Sequence, residues 1–165
     1  QSYLAYEISR IKSSAGKHAR LKSVLVHEIL TDMALALDME WLFRSHISLM
    51  GKLGIKPGFD TRNFPYLVTK FREWGIDLSD LVVAAPFNSL GFQMSPSKER
   101  CESILSEMQG TEIIAFSLLA AGYLDVSAAA NYAKGLPNLS GVAIGSSRPE
   151  QAEKTFSIMK EILDK

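Results

Sequence analysis

The chain has 165 residues, 47% of them hydrophobic and 22% charged, and its 18 basic residues balance 18 acidic ones. This length predicts one domain, and this composition excludes a disordered tail or a low-complexity linker. Zero net charge argues against a nucleic-acid partner or an anionic membrane surface, because either would favour a basic excess. A single cysteine, Cys101, excludes an internal disulfide and favours a reducing, cytoplasmic location. No apolar run reaches the ~20 residues that span a bilayer, and no signal-peptide pattern opens the chain.

The same order of features recurs with a period of roughly 30 residues: a short apolar run, a polar loop, an amphipathic helix and a glycine. Most of the apolar runs are continuous, which is typical of strands buried on both faces of a parallel sheet. The five predicted strands are Ser23–Leu30, Ile55–Asp60, Leu81–Asn88, Glu112–Ser117 and Gly141–Gly145. Pro57 argues against the second of them, because proline lacks the N–H that a ladder needs.

Prolines, capping residues and glycines mark the ends of the helices between these strands. The predicted helices cover Tyr3–Lys12, Trp41–Leu53, 65–74, 95–109, Val126–Lys134 and 147–163. In the last of them, Ser147 and Glu150 have the spacing of a capping box, in which each side chain satisfies a free amide at the helix start. Strands that alternate with helices imply a parallel sheet with right-handed crossovers.

Two α/β architectures have this order of elements, an open doubly wound sheet and a (βα)₈ barrel of the TIM type. No G-x-G-x-x-G motif follows the first strand, which disfavours the doubly wound sheet. The sequence therefore predicts a single domain, residues 1–165, that is a partial (βα)₈ barrel of about five strand–helix units. The chain would be the C-terminal part of a barrel, would pair with a second partial barrel in a homo-oligomer, or would lack residues before Gln1.

The chemistry of (βα)₈ barrels lies at the carboxyl ends of the strands. Three residues near the ends of the first two strands are candidate catalytic groups: His27, Glu28 and Asp60. Asp60 would act as a general base if burial raises its pKa; the alternatives are that it caps the next turn or pairs with Arg62. His27 is predicted to lie within the strand, and a hydrogen-bonded core histidine is the alternative there. Other polar residues near the predicted strand ends are Asp32, Arg62, Asn63, Asn88, Gln93 and Ser117.

The segment before the last helix is a candidate anion site. Gly145, Ser146, Ser147 and Arg148 would offer free backbone amides, the positive end of a helix dipole and a guanidinium, a set that favours phosphate. The loop that contains Gly122 would lie alongside. A small-molecule substrate, phosphorylated in this case, would then be the partner; an ordinary helix cap with a solvated arginine is the alternative.

Neither a metal site nor a covalent nucleophile is predicted. His18, His27 and His46 have no metal-ligand spacing such as HxH or HExxH. Cys101 lies in a predicted helix among apolar residues, which indicates packing. No lysine lies late in a strand, so a Schiff-base enzyme would need residues outside this sequence.

Four segments resemble, in the same order, segments of the C-terminal half of the aldo-keto reductases. Residues 58–64 resemble that family's G-x-S-N-F segment, residues 83–90 its Q-x-x-Y-N-x-L strand, residues 114–122 its I-A-Y-S-P-L-A-x-G segment, and residues 142–151 its V-I-I-G-A-R/S-x-P-E-Q segment. Val24-Leu-Val-His27 lies where the family has a strand that ends in its catalytic histidine. The resemblance spans roughly residues 23–162.

The resemblance implies an NADP(H)-dependent oxidoreductase with a small-molecule carbonyl substrate. It implies cofactor contacts from Asn63, Asn88, Ser117, Gly122, Gly145, Ser146, Ser147, Arg148 and Gln151. The family's catalytic Asp, Tyr and Lys lie on earlier strands and loops than those seen here, and Phe87 and Leu118 replace its usual Tyr and Pro. Two other functions remain open: a phosphate-binding lyase, isomerase or aldolase, and a non-catalytic barrel remnant that serves as an oligomerisation or binding module.

Overall fold

The computed structural model describes residues 2–16 and 19–164. All five predicted strands are present, as β1 Ser23–Val26, β2 Lys56–Asp60, β3 Val82–Pro86, β4 Glu112–Phe116 and β5 Gly141–Val142. They form one sheet in sequence order, and each strand pairs in parallel with the next. The chain is therefore α/β, with the strand order of one segment of a (βα)₈ barrel wall.

Among the described residues, seven α-helices alternate with or flank these strands. They are α1 Ser2–Ala15, α2 Glu28–Ala36, α3 Glu40–Lys52, α4 Phe64–Glu73, α5 Lys98–Glu107, α6 Val126–Gly135 and α7 Pro149–Leu163, and a short 3₁₀ turn covers Ala120–Gly122. In the part of the chain that the structure describes, no helix combines the length and the apolar character needed to cross a membrane.

The first strand is shorter than predicted, because a helix that the sequence analysis did not predict follows it directly. β1 ends at Val26 and α2 begins at Glu28, so the prediction of a strand through Leu30 is wrong. His27 separates the two elements, and its Nδ1 accepts the Ile29 N–H at 3.3 Å as a helix cap. Periodicity alone cannot distinguish a short continuous apolar run in a strand from one in a helix.

The last strand and the last helix also differ from the prediction. β5 ends at Val142 rather than Gly145, and α7 begins at Pro149 with Arg148 as its N-cap residue. Proline favours the first helical position, and this places Ser147 one residue too early to cap the helix. The predicted capping box is therefore wrong, and residues 143–148 form an irregular, largely exposed loop.

In the part of the chain that the structure describes, helices α2 to α7 pack on one face of the sheet. Alternate strand residues on that face, Phe59, Val83, Ala85, Ile113 and Ala115, lie in a single hydrophobic core to which each of α2 to α7 contributes buried side chains. α1 packs separately, through Ile8, against Met50 of α3 and Ile55. Helices on one face are the arrangement of a barrel wall, whereas a doubly wound sheet carries them on both faces.

The opposite face of the sheet, here called the inner face, has a different character. It carries Leu25, Lys56, Gly58, Asp60, Val82, Ala84, Pro86, Glu112, Ile114 and Phe116, as the strand register requires. At the amino end of the strands, Glu112 accepts from Lys56 at 3.0 Å and from Lys22 at 2.7 Å. The Lys56–Glu112 pair joins β2 to β4 across β3. The charged groups at the carboxyl end of the inner face are described below.

Pro57 is accommodated within β2 because of its position in the ladder. The Lys56 N–H bonds to Lys22 on the β1 side, whereas the Thr61 N–H bonds to Ala84 of β3. Since N–H groups alternate in direction along a parallel strand, residue 57 faces β3. The β2–β3 ladder starts only at Gly58, so the missing N–H of Pro57 removes no ladder bond.

Gly58 is the position in the sheet where a side chain is least tolerated. A Cβ there would lie 2.7 Å from Leu25 Cγ and 3.1 Å from the Val82 carbonyl oxygen. We expect Gly58→Ala to lower the free energy of unfolding by about 1–3 kcal/mol through overpacking. Gly51→Ala is the control, because a Cβ at this helical position meets nothing within 4 Å; it should raise stability by about 0.5–1 kcal/mol. Urea unfolding measures both, and equal stabilities would contradict the close packing of β1 and β2.

Candidate functional site

The carboxyl ends of the five strands bring most of the predicted site residues to one end of the sheet. Two distinct regions lie there. The acidic subsite follows β1 and β2 and consists of His27, Glu28, Asp32, Asp60 and Arg62. The groove lies between the loops that follow β3, β4 and β5.

Side-chain contacts between α2 and the turn after β2 fix the acidic subsite. Glu28 forms an ion pair with the Arg62 guanidinium. Asp32 accepts a hydrogen bond from the Thr61 hydroxyl and another, at 3.0 Å, from the Arg62 N–H. The Thr61 hydroxyl also accepts the Asn63 N–H at 3.0 Å. Two of the three carboxylates are therefore engaged by named partners, and the turn that follows Asp60 is held against α2.

Asp60 is the third carboxylate, and its environment differs from that of the other two. Its Oδ1 is buried and has no hydrogen-bond partner among the described residues. Burial, and secondarily the Glu28 charge, raise the pKa of Asp60 to about 6, against opposing contributions from His27 and Arg62. Arg62 pairs with Glu28, so the alternative of an Asp60–Arg62 ion pair is not what the structure contains. A carboxyl with this pKa can hold or release a proton near neutral pH.

His27 lies at the end of β1 and is exposed to solvent. The predictions that it sits within a strand and that it is a core histidine are both wrong, because α2 begins at the next residue. Its Nδ1 accepts a backbone N–H, so the neutral imidazole carries its proton on Nε2. A positive charge on His27 would lower the pKa of Asp60.

The groove has a volume of about 720 Å³ and an uncharged lining. Its walls are Phe92, Gln93, Phe116, Ser117, Leu118, Leu119, Ala120, Ala121, Gly122, Ala143, Ile144 and Gly145. Ser117 donates a hydrogen bond to Gln93 Oε1 at 3.3 Å, and this contact joins two of the three loops. A volume between about 300 and 1,000 Å³ with few polar groups is typical of small-molecule and cofactor sites.

Four non-glycine residues of the groove have left-handed backbone conformations. Their φ angles are 61° at Gln93, 54° at Ser117, 44° at Ala120 and 57° at Ala121. This region is unfavourable for residues with a Cβ, by about 1–3 kcal/mol each. Such conformations cluster at functional sites, so their presence around one cavity supports a binding role for the groove.

The predicted cofactor residues do not all lie in the groove. Ser117, Gly122 and Gly145 line it, whereas Ser146, Ser147, Arg148 and Gln151 are exposed outside its lining. Asn88 is fully buried, and its amide donates to the Phe92 carbonyl and accepts the Phe92 N–H, both at 2.8 Å. The Asn88 side chain therefore fixes the loop that carries Phe92 and Gln93, rather than facing the groove.

Asn63 belongs to the other region of the site. It is the N-cap residue of α4 by position, but its side chain makes no capping hydrogen bond, and its buried Oδ1 has no partner among the described residues. With Asp32, Arg62, Tyr66 and others it lines a cavity of about 270 Å³. The Asn63 side chain therefore does not cap α4.

Several residues of the site were not identified from the sequence. Phe92 and Phe116 form apolar walls of the groove, and Thr61 holds Asp32. Phe116 is the last residue of β4, so an aromatic residue at a strand end was an available signal. Thr61 follows Asp60 directly, and no other feature of the sequence marks it as a site residue.

The described residues contain no group of three or more His, Cys, Asp or Glu side chains placed to hold a metal ion. His46 is buried and hydrogen-bonded to the Val24 carbonyl at 3.1 Å, so it packs within the fold. His18 lies outside the described residues. Comparison with known proteins gives no matching family model and no significant match among curated proteins or solved structures. The resemblance to the aldo-keto reductases therefore stays a prediction.

The raised pKa of Asp60 implies that the free energy of unfolding depends on pH. A folded-state pKa near 6 means that the native protein holds this proton more tightly than the unfolded chain, whose Asp pKa is near 3.8. Stability from this group is thus complete at low pH and is lost as pH rises through about 6. We therefore expect the free energy of unfolding of Asp60→Asn, relative to that of the wild type, to be about 1–2 kcal/mol higher at pH 8 than at pH 4. This value is reduced for the partial solvent exposure of Asp60.

Asp77→Asn is the matched control for this measurement. Asp77 accepts the Ser79 N–H at 2.9 Å, and this bond lowers the pKa of Asp77. Asp77→Asn should therefore lose stability relative to the wild type as pH rises above about 4, which is the opposite of the change expected for Asp60→Asn. Urea unfolding at several pH values measures both variants, and a flat difference for Asp60→Asn would contradict the raised pKa.

Proposed function

We propose that the chain is an NADP(H)-dependent oxidoreductase that acts on a small-molecule carbonyl compound, similar in type to the aldo-keto reductases. One observation carries the proposal. The groove at the carboxyl end of the sheet is lined by Ser117, Gly122 and Gly145, three residues to which the resemblance assigns cofactor contacts. They come from two different loops and meet at a cavity of about 720 Å³, large enough for part of a dinucleotide.

The character of the groove suits the flat ring of such a cofactor. Phe92 and Phe116 provide aromatic walls, Ser117 and Gln93 provide polar atoms, and no charged side chain lines the cavity. Bound NADP(H) would supply hydride transfer at its nicotinamide ring. The exposed segment 146–148 adjoins the groove at Gly145, and Arg148 offers the positive charge that phosphate groups need.

A second candidate is the non-catalytic binding or oligomerisation module. α2 and its C-cap residue expose three apolar side chains, Ile29, Met33 and Leu37, at 67%, 49% and 64%. Exposed apolar side chains at helical spacing favour contact with another surface. Self-association, a cytoplasmic location and the lack of a nucleic-acid partner stay predictions from the sequence. The phosphate-binding lyase, isomerase or aldolase stays an alternative, since Arg148 beside the groove would serve the phosphate of either ligand.

Cofactor titration tests the proposed function. We expect NADPH and NADP⁺ to bind with Kd values below about 100 µM, within the usual range of enzyme ligands. Ala143→Trp should weaken NADPH binding by at least about tenfold, because Ala143 lines the groove and a bulky ring would fill it. Cofactor fluorescence and calorimetry measure the affinities.

Ala128→Trp is the control, since Ala128 is exposed on α6 outside the groove. It should leave NADPH affinity unchanged. Absence of saturable NADPH binding by the wild type would refute the oxidoreductase. Binding of ribose 5-phosphate without any nucleotide affinity would favour the phosphate-binding enzyme instead.

A further inference from the structure

We propose that Asp60 is the group through which this site exchanges a proton with its substrate, and that the substrate is a carbonyl compound or alcohol without negative charge. The proposal deepens the proposed function and rests on it for the hydride. It does not depend on the family's catalytic residues, because Asp60 lies in the acidic subsite of this chain.

The position of Asp60 suits this role. It is the last residue of β2 on the inner face, and the strand register places it beside Ala84 of β3 and then Ile114 of β4. Neighbouring strands lie about 4.8 Å apart, so β2 and β4 are separated by roughly 10 Å. The intervening β3 carries the small side chains Ala84 and Pro86 on this part of the face, and both are buried. A molecule that extends from the groove wall at Phe116 to Asp60 would therefore have to span roughly this distance.

Asp60 differs from the other two carboxylates of the acidic subsite, because they are engaged by protein partners whereas its Oδ1 is not. Glu28 is paired with Arg62, and Asp32 is held by Thr61 and the Arg62 N–H. Asp60 Oδ1 is buried with no partner among the described residues. Buried polar atoms in native proteins are nearly always hydrogen-bonded, so this orphaned oxygen points to a partner that a bound ligand supplies.

The charges around Asp60 select against anions. Glu28 and Asp32 face it from α2, His27 from the β1–α2 junction and Arg62 from the turn after β2, whereas the residues of β3 carry no titratable group. Three carboxylates thus share one guanidinium, and Glu28 already neutralises that guanidinium. A substrate carboxylate or phosphate would be repelled here, while an uncharged or cationic compound would not.

The proton transfer balances with the hydride that the proposed function supplies. In the direction of reduction, the carbonyl carbon gains a hydride from the reduced nicotinamide, and the electrons of the C=O π bond move to the oxygen. The Asp60 O–H bond breaks as its proton moves to that oxygen. An alcohol, the oxidised nicotinamide and an Asp60 carboxylate result, and solvent returns a proton to Asp60. Reduction should therefore slow as pH rises through about 6, where Asp60 loses its proton.

A test that needs no turnover uses three probes with the same ring: benzyl alcohol, benzylammonium and benzoate. Carbon-13 NMR follows the Asp60 carboxyl during titration with each probe, and the Asp60→Asn spectrum assigns its signal. We expect benzyl alcohol and benzylammonium to shift the signal with saturation, and benzoate to bind at least about tenfold more weakly. Glu28→Gln should narrow that difference, because it removes one of the repelling charges. Equal binding of benzoate, or no response to any of the three, would overturn the proposal.

Turnover with NADPH and benzaldehyde provides the second test. Asp60→Asn should lower kcat by about 10²–10⁴-fold, the usual contribution of a positioned acid, and abolish the fall in rate above pH 6, with NADPH affinity unchanged. Asp77→Asn, an exposed carboxylate outside the site, should match the wild type. If Asp60→Asn keeps both its rate and its pH profile, the proton-transfer role is wrong.

The two proposals fail in distinguishable ways. If the wild type does not bind NADPH, the proposed oxidoreductase function is refuted. The carbon-13 titrations would still decide whether Asp60 contacts an uncharged ligand. Asp60→Glu serves if Asp60→Asn does not fold. It keeps the carboxyl but moves it by one methylene, so we expect a lower kcat with the pH dependence retained. The wild-type probe comparison requires no variant at all.

Discussion

Parallel pairing of the strands in sequence order is the constraint on which the rest of the molecule depends. Because each strand pairs with the next in the same direction, every crossover helix must return the chain to the amino end of the sheet. Helices α2 to α7 pack on one face, and one large hydrophobic core results. The inner face lies opposite this core, and every strand delivers its last residue to the same end. The site exists because these two consequences coincide.

The two halves of that end differ in their chemistry. The loops after β1 and β2 carry charge, and their side chains are cross-linked by the Glu28–Arg62 pair and by Asp32. The groove on the other side has an uncharged lining, and the loops after β3 and β4 contribute its residues with left-handed backbone conformations. β3 separates the two halves with small residues, and Asn88 at its end fixes the neighbouring loop. A ligand that spans β3 would therefore meet a polar region at one end and an aromatic one at the other.

Much of this fold could be predicted from the sequence, because the strands are continuous apolar runs and most helices have clear end signals. β3 is the clearest case, with five buried residues in succession. The failures occurred where two local preferences compete. The run after Val24 is apolar enough for a strand, and only the capping contact of His27 shows that it turns into a helix. At α7, the preference of Pro149 for the first helical turn prevails over a capping-box pattern.

The site itself was only partly predictable, for a physical reason. Asp60 could be selected because a strand-end carboxylate is visible in the sequence. Its oxygen lacks a partner because Arg62 forms its ion pair with Glu28 rather than with Asp60, and this could not be predicted from the sequence. The left-handed conformations at Ala120 and Ala121 have no sequence signature, since alanine rarely adopts them. Tertiary packing imposes them, and so the groove could not be seen from the residues that line it.

The consecutive order of the strands also makes the architecture open-ended. Within the described residues, β1 pairs only with β2 and β5 only with β4, so each lateral edge retains a row of backbone donors and acceptors. Each strand–helix unit contacts mainly its neighbours, and a further unit could be added at either side without shifting the register of those already paired. Gene duplication or fusion could therefore lengthen such a sheet one unit at a time. The charged and the uncharged halves of its carboxyl end would persist unchanged while a new neighbour acquired its own loop.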